Sequence, residues 1–83
     1  MTRHEEVVLL ALDRGPHRTV EMLADAMSMP EAAVAKAMRG LHREGMVSPG
    51  IKGRYGRTWW VTDNGRTAAD AAAVAAYESG EVK

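Results

Sequence analysis

An 83-residue chain is expected to form one small domain, since about 50 to 200 residues gather around a single hydrophobic core, and no second, effector-sensing one is expected within it. With 46% hydrophobic and 27% charged residues it is expected to fold, and the absence of cysteine excludes disulfides, thiolate metal sites and cysteine nucleophiles. Formal net charge is zero, yet its distribution is lopsided: Lys36 to Arg66 holds seven Lys/Arg against Glu44 and Asp63, an excess of five cations, and the remainder balances it with an equal excess of acids.

The first predicted helix spans Glu5 to Arg14, with Val8, Leu9 and Leu12 on one side and the helix-breaking pair Gly15-Pro16 at its end. No stretch approaches the roughly 20 apolar residues of a membrane span. The apolar run Val7–Leu12 follows two glutamates and is shorter than a signal-peptide core, so the expected location is the cytoplasm.

Thr19 is the expected N-cap of a short second helix from Val20 to about Met27, in which Leu23 and Met27 fall on one face. Only Ser28 and Met29 separate it from a third helix, from about Pro30 to Glu44, with Pro30 in the first turn, Ser28 and Glu31 at capping-box spacing, and Gly45 ready for a left-handed C-terminal position. Two helices joined by so short a turn cross steeply, as in a helix-turn-helix.

Met46 and Val47 open a strand, Gly53 and Gly56 are expected to supply positive φ at a hairpin tip, and Thr58 to Val61 forms the return strand. Along that strand Trp59 and Val61 point inward and Trp60 outward; Trp60 either contacts a partner or covers the hairpin's own surface. Tyr55 is expected in solvent at the tip. Thr62 caps a last helix through Asp63 to about Ser79, alanine-rich from Ala68 to Ala76, and Gly80–Lys83 frays. The fold class is therefore mainly α with a small β-hairpin: one domain over residues 1–83, with a helix-turn-helix at about 19–45, a two-stranded wing at about 46–61 and a fourth helix at about 62–79.

On a helical wheel at about 100° per residue, Val34, Met38 and Leu41 of the third helix form a core stripe, while Lys36, Arg39 and Arg43 fall on the opposite side, about 140° to 200° away. A solvated face usually mixes signs. Three cations without an acid, beside a hairpin bearing Lys52, Arg54 and Arg57, predict a surface for double-stranded DNA, with the helix in the major groove and the hairpin over the backbone. Base reading is sparse: Ala32, Ala33 and Ala35 offer only methyl contacts, no Asn or Gln stands on the helix, and Arg39, before Lys36, is the candidate for guanine.

The runs Thr19–Met29 (TVEMLADAMSM), Val34–Val47 (VAKAMRGLHREGMV) and Trp59–Arg66 (WWVTDNGR) resemble winged helix-turn-helix regulators of the MarR-like and PadR-like types. The resemblance implies a small DNA-binding transcriptional regulator or accessory factor in which Ala32, Ala33, Lys36 and Arg39 face the groove and Arg54 and Arg57 serve as wing contacts. Ser28 stands where a turn glycine is common in those families, and Pro30 where a capping Ser or Thr is usual. Ala69, Ala72, Ala73 and Ala76 of the last helix permit close approach of a second helix, either the first helix of the same chain or that of a partner; a homodimer through the last helix is the expected assembly. The alternative is a winged helix that binds protein and no DNA, using Trp60 or the cluster Met22, Met27, Met29, Met38 and Met46; core filling is the favoured role of these methionines. His4, His17 and His42 lack metal-ligand spacing and no catalytic motif or phosphate loop occurs, so no enzyme activity, cofactor, metal or small-molecule ligand is expected.

Overall fold

A computed structural model describes residues 1–54 and 56–78; Tyr55, the expected end of the last helix at Ser79 and the expected fraying over 80–83 lie outside them, as do the side chains of Ala76 and Glu78. In chain order the elements are α1 (Arg3–Arg14), α2 (Val20–Met27), α3 (Glu31–Arg43), β1 (Val47–Gly53), β2 (Gly56–Val61) and α4 (Asp63–Glu78). Helix α1 begins two residues earlier than expected because Thr2 and Glu5 form a reciprocal capping box: the Glu5 amide donates to Thr2 Oγ1 at 3.2 Å and the Thr2 amide to Glu5 Oε1 at 2.9 Å.

Thr19 caps α2, accepting from the Met22 amide at 3.1 Å. The expected Ser28/Glu31 capping box is absent. Ser28 instead takes the left-handed conformation at the end of α2, φ 53°, and the Met29 amide reaches back to the Ala24 carbonyl at 2.9 Å. This is the position at which a glycine would be unstrained, so Ser28 spends its backbone on stopping α2 and cannot cap α3. Pro30 is the N-cap of α3 and makes no side-chain bond. Helix α3 ends as expected, with Gly45 at φ 76° and the Met46 amide on the Leu41 carbonyl at 2.9 Å.

The core unites Val8, Leu9 and Leu12 of α1, Leu23 and Ala24 of α2, Val34, Ala37, Met38 and Leu41 of α3, Val47 of β1 and Ala69 of α4. Met27, Met29 and Met46 pack at its margin, so these and Met38 fill core, whereas Met22 is half-buried outside it. Gly40 lets α1 approach α3 closely, for a Cβ there would meet the Glu5 carboxylate that the capping box holds.

The antiparallel hairpin pairs Val47 with Val61, Pro49 with Trp59, and Lys52 with Arg57, and one extra residue in β1 between Pro49 and Lys52 makes a bulge. Gly56 has positive φ, 100°, whereas Gly53 does not; one glycine, not two, supplies the unusual turn conformation. Beyond the hairpin, the Trp59 amide donates to the Arg18 carbonyl in the α1–α2 connection at 2.8 Å, while the Arg18 guanidinium binds the Leu12 and Gly15 carbonyls at 2.7 and 2.9 Å and so closes the end of α1.

Helix α4 is tied to the start of the wing through Thr62. Its hydroxyl accepts from the Gly65 amide at 3.1 Å and donates to the Gly45 carbonyl at 2.6 Å, and its amide donates to the Met46 carbonyl at 3.0 Å. A Cβ on Gly65 would fall on that Met46 carbonyl oxygen. Gly65→Ala gains about 1 kcal/mol of helix propensity but must displace a hydrogen-bonded backbone. We therefore expect a net loss of about 2 kcal/mol in urea unfolding, and an unchanged or increased midpoint would refute the close approach.

Candidate nucleic-acid interface

Rotation of α3 about its axis is set by burial. Val34, Met38 and Leu41 are at most 1% exposed, each worth about 1.5 to 3 kcal/mol when fully buried, far more than a surface ion pair can return. Lys36, Arg39 and Arg43 are consequently thrown to the opposite side, where all three are exposed. Among the described residues none of the three is paired with a carboxylate. Ala32 is exposed on the same ridge; Ala33 is half-buried and lines a cleft between α3 and the first turn of α1. The structure thus brings together Ala32, Lys36, Arg39 and Arg43 and turns Ala33 to their flank.

On the other flank stands the wing. Trp59, half-buried against the core, meets His42 of α3 edge to face, with ring centroids 5.6 Å apart and planes inclined by 68°. Lys52, Arg54 and Arg57 are exposed. Arg57 is partly committed: its Nη1 donates to the Gly50 carbonyl at 2.9 Å, and Thr58 Oγ1 donates to the Ile51 carbonyl at 3.2 Å, so both side chains serve carbonyls inside the bulge. With five donors, the guanidinium of Arg57 retains others for a partner. Trp60 is 54% exposed, its ring lying against the space left open by Gly50; it covers part of the hairpin's outer surface and presents the rest to solvent.

Acids border the site on one side. Glu21 of α2 and Glu31 of α3 line a cleft whose other wall carries Arg54 and Arg57, yet no ion pair closes it among the described residues. Arg66, counted with the basic stretch in the sequence, does not belong to this surface: its Nε lies 3.5 Å from Asp13, whose side chain is 4% exposed, and Arg14 binds Asp70 at 2.9 Å, so these charges join α1 to α4. The sequence reading also missed Arg3 and His4 of α1, which line the cleft with Ala33 and Lys36. The Thr2-x-x-Glu5 capping spacing, with Gly40, was the available signal. No group of three or more potential metal ligands occurs among the described residues, and no helix there is long and apolar enough to cross a membrane.

The same arrangement of helices and hairpin occurs in solved regulators. A crystal structure of a MarR family transcription regulator aligns over 100% of this chain and 60% of its own, at 19% identity and TM-score 0.80. The adhesin competence repressor of Streptococcus pyogenes aligns over 98% and 61%, at 20% identity and TM-score 0.82. A MarR family regulator from Neisseria meningitidis aligns over 98% and 58%, at 22% identity and TM-score 0.77. The fold is the winged helix of the MarR regulators. The chain spans about three-fifths of the length of these structures, and neither a protein-family model nor a curated protein matches its sequence.

The winged helix gives Arg57 a mechanical role that can be separated from any ligand. Removing its bond to Gly50 in Arg57→Ala should release up to about 1 kcal/mol locally, read as amide exchange about fivefold faster in β1 and β2 with α1–α3 unchanged. Equal exchange rates in the wing would show that the bond does not brace the bulge.

Proposed function

We propose that the chain is a double-stranded DNA-binding transcriptional regulator that places α3 in the major groove and the wing on the backbone. One observation carries this reading: Lys36, Arg39 and Arg43 form an exposed, carboxylate-free ridge opposite a fully buried stripe, continued by the exposed Lys52, Arg54 and Arg57 of the wing. A convex helix fits the major groove, and cations on it release condensed counterions when they meet phosphate. Repressors and regulators of the same fold support the assignment.

In this reading Ala32 and Ala33 approach base methyls, Arg39 and Lys36 are the candidates for guanine edges, and Arg43, Lys52, Arg54 and Arg57 contact phosphate. The protein works in the cytoplasm as a binding module rather than an enzyme. A homodimer supplies the second half-site that so few base-reading groups need. Ala69 is buried in the core of the same chain and is not available to a partner; the small, half-buried Ala72 and Ala73 and Val74 and Tyr77 on the exposed side of α4 support the use of this helix for that contact.

Fluorescence anisotropy with duplex DNA at about 50 and 200 mM salt tests the reading. Binding should fall steeply with salt. Arg39→Ala should weaken a selected site by about 10- to 100-fold and relax its sequence preference, whereas Arg54→Ala should weaken all duplexes alike. Absence of binding at the lower salt, or binding indifferent to salt, defeats the proposal.

A further inference from the structure

The ridge on α3 has two flanks, and both carry cations. On the wheel used above, Glu31 and His42 lie about 60° to 80° from Val34 and face the wing, while Lys36, Ala33 and Ala37 lie about 200° to 300° from it. These last three line the cleft against the first turn of α1, together with Arg3 and His4. We infer that this turn is a second backbone clamp, gripping the phosphate wall of the duplex opposite the wall met by the wing. The inference rests on the DNA-binding reading above and adds a contact surface to it.

A major groove about 12 Å wide leaves a helix within side-chain reach of both phosphate walls. The wing can serve one of them. The first turn of α1 is held beside the ridge for the other, because Gly40 has no side chain and the Glu5 carboxylate occupies the space a Cβ would need. The local acids are engaged within the protein: Glu5 accepts from the Thr2 amide at 2.9 Å, and Glu6 lies 3.9 Å from Arg3. That exposed i,i+3 pair is weak, and a guanidinium carries five donors. His4 is exposed beside them.

The test uses the full chain and a duplex chosen from a random pool, titrated by anisotropy from about 50 to 300 mM salt, with hydroxyl-radical footprints of each complex. Each phosphate contact contributes about 0.9 to the slope of log affinity against log salt. Arg3→Gln should weaken binding about five- to tenfold, lower the slope by about one, and remove footprint protection on the wall opposite the one exposed by Arg54→Ala. His4→Lys should tighten binding severalfold and raise the slope by about one. If Arg3→Gln lowers the melting temperature, the His4→Lys result decides. Unchanged affinity, slope and footprint in both variants, while Arg39→Ala and Arg54→Ala still weaken binding, overturns the clamp and leaves the DNA reading standing. A wild-type chain that ignores duplex at low salt overturns both.

Discussion

Seating of α3 is the constraint on which everything else depends. Val34, Ala37, Met38 and Leu41 are buried between α1, α2 and the wing, and no rotation of the helix keeps all four out of water and also hides Lys36, Arg39 and Arg43. Hydrophobic burial of several kcal/mol therefore aims three cations outward without any bond to direct them. Their side chains are exposed and pair with no carboxylate among the described residues, while the backbone beneath them is fixed by packing.

A positive helix alone would be an unremarkable surface; what shapes it is the wing, and the wing is positioned by backbone bonds rather than by its own pairing. A two-stranded hairpin has little stability in water. Here it is fixed at its base by the Thr62 hydroxyl on Gly45, by the Thr62 amide on Met46 and by the Trp59 amide on Arg18, with Trp59 edge-on to His42. Gly65 makes the second of these junctions possible by leaving room for the Met46 carbonyl. The run from Val61 to Gly65 that resembles the regulator families is thus a hinge pin between wing and α4, and its glycine is a packing requirement, not a flexible joint.

Elements with a strong amphipathic period were legible from residues alone. The stripe Val34, Met38, Leu41 and its opposite ridge followed from a 3.6-residue repeat, and the inward Trp59 with the outward Trp60 followed from strand alternation. What resisted reading was chemistry shared between distant residues. Ser28 satisfied a capping-box spacing, but its backbone was already needed in the left-handed conformation that ends α2. Thr2 and Glu5 formed the box that was overlooked, because the apolar period of α1 begins only at Val7 and gave no reason to start earlier. In the sequence Arg66 and Arg18 were only charges to be counted, yet one lies beside the nearly buried Asp13 and the other closes α1 from the connecting loop. A linear charge tally cannot separate such structural cations from those of the ridge.

That separation also resolves how a chain of zero net charge can present a surface to a polyanion. Arg14, Arg18 and Arg66 are engaged within the fold, while Lys36, Arg39 and Arg43 of α3 and Lys52, Arg54 and Arg57 of the wing are exposed and pair with no carboxylate among the described residues. The acids Glu21, Asp25 and Glu31 gather around the turn between α2 and α3. At physiological salt, charges separated by more than about 8 Å are largely screened, so a duplex responds to the patch it touches and not to the total. In the DNA-binding reading, a phosphate is repelled at the entry to α3 and attracted from Lys36 onward. The acids then act as an orienting device: they keep phosphate away from the start of the helix, where Ala32 and Ala33 meet uncharged base methyls, and leave the charged contacts to Lys36, Arg39 and Arg43.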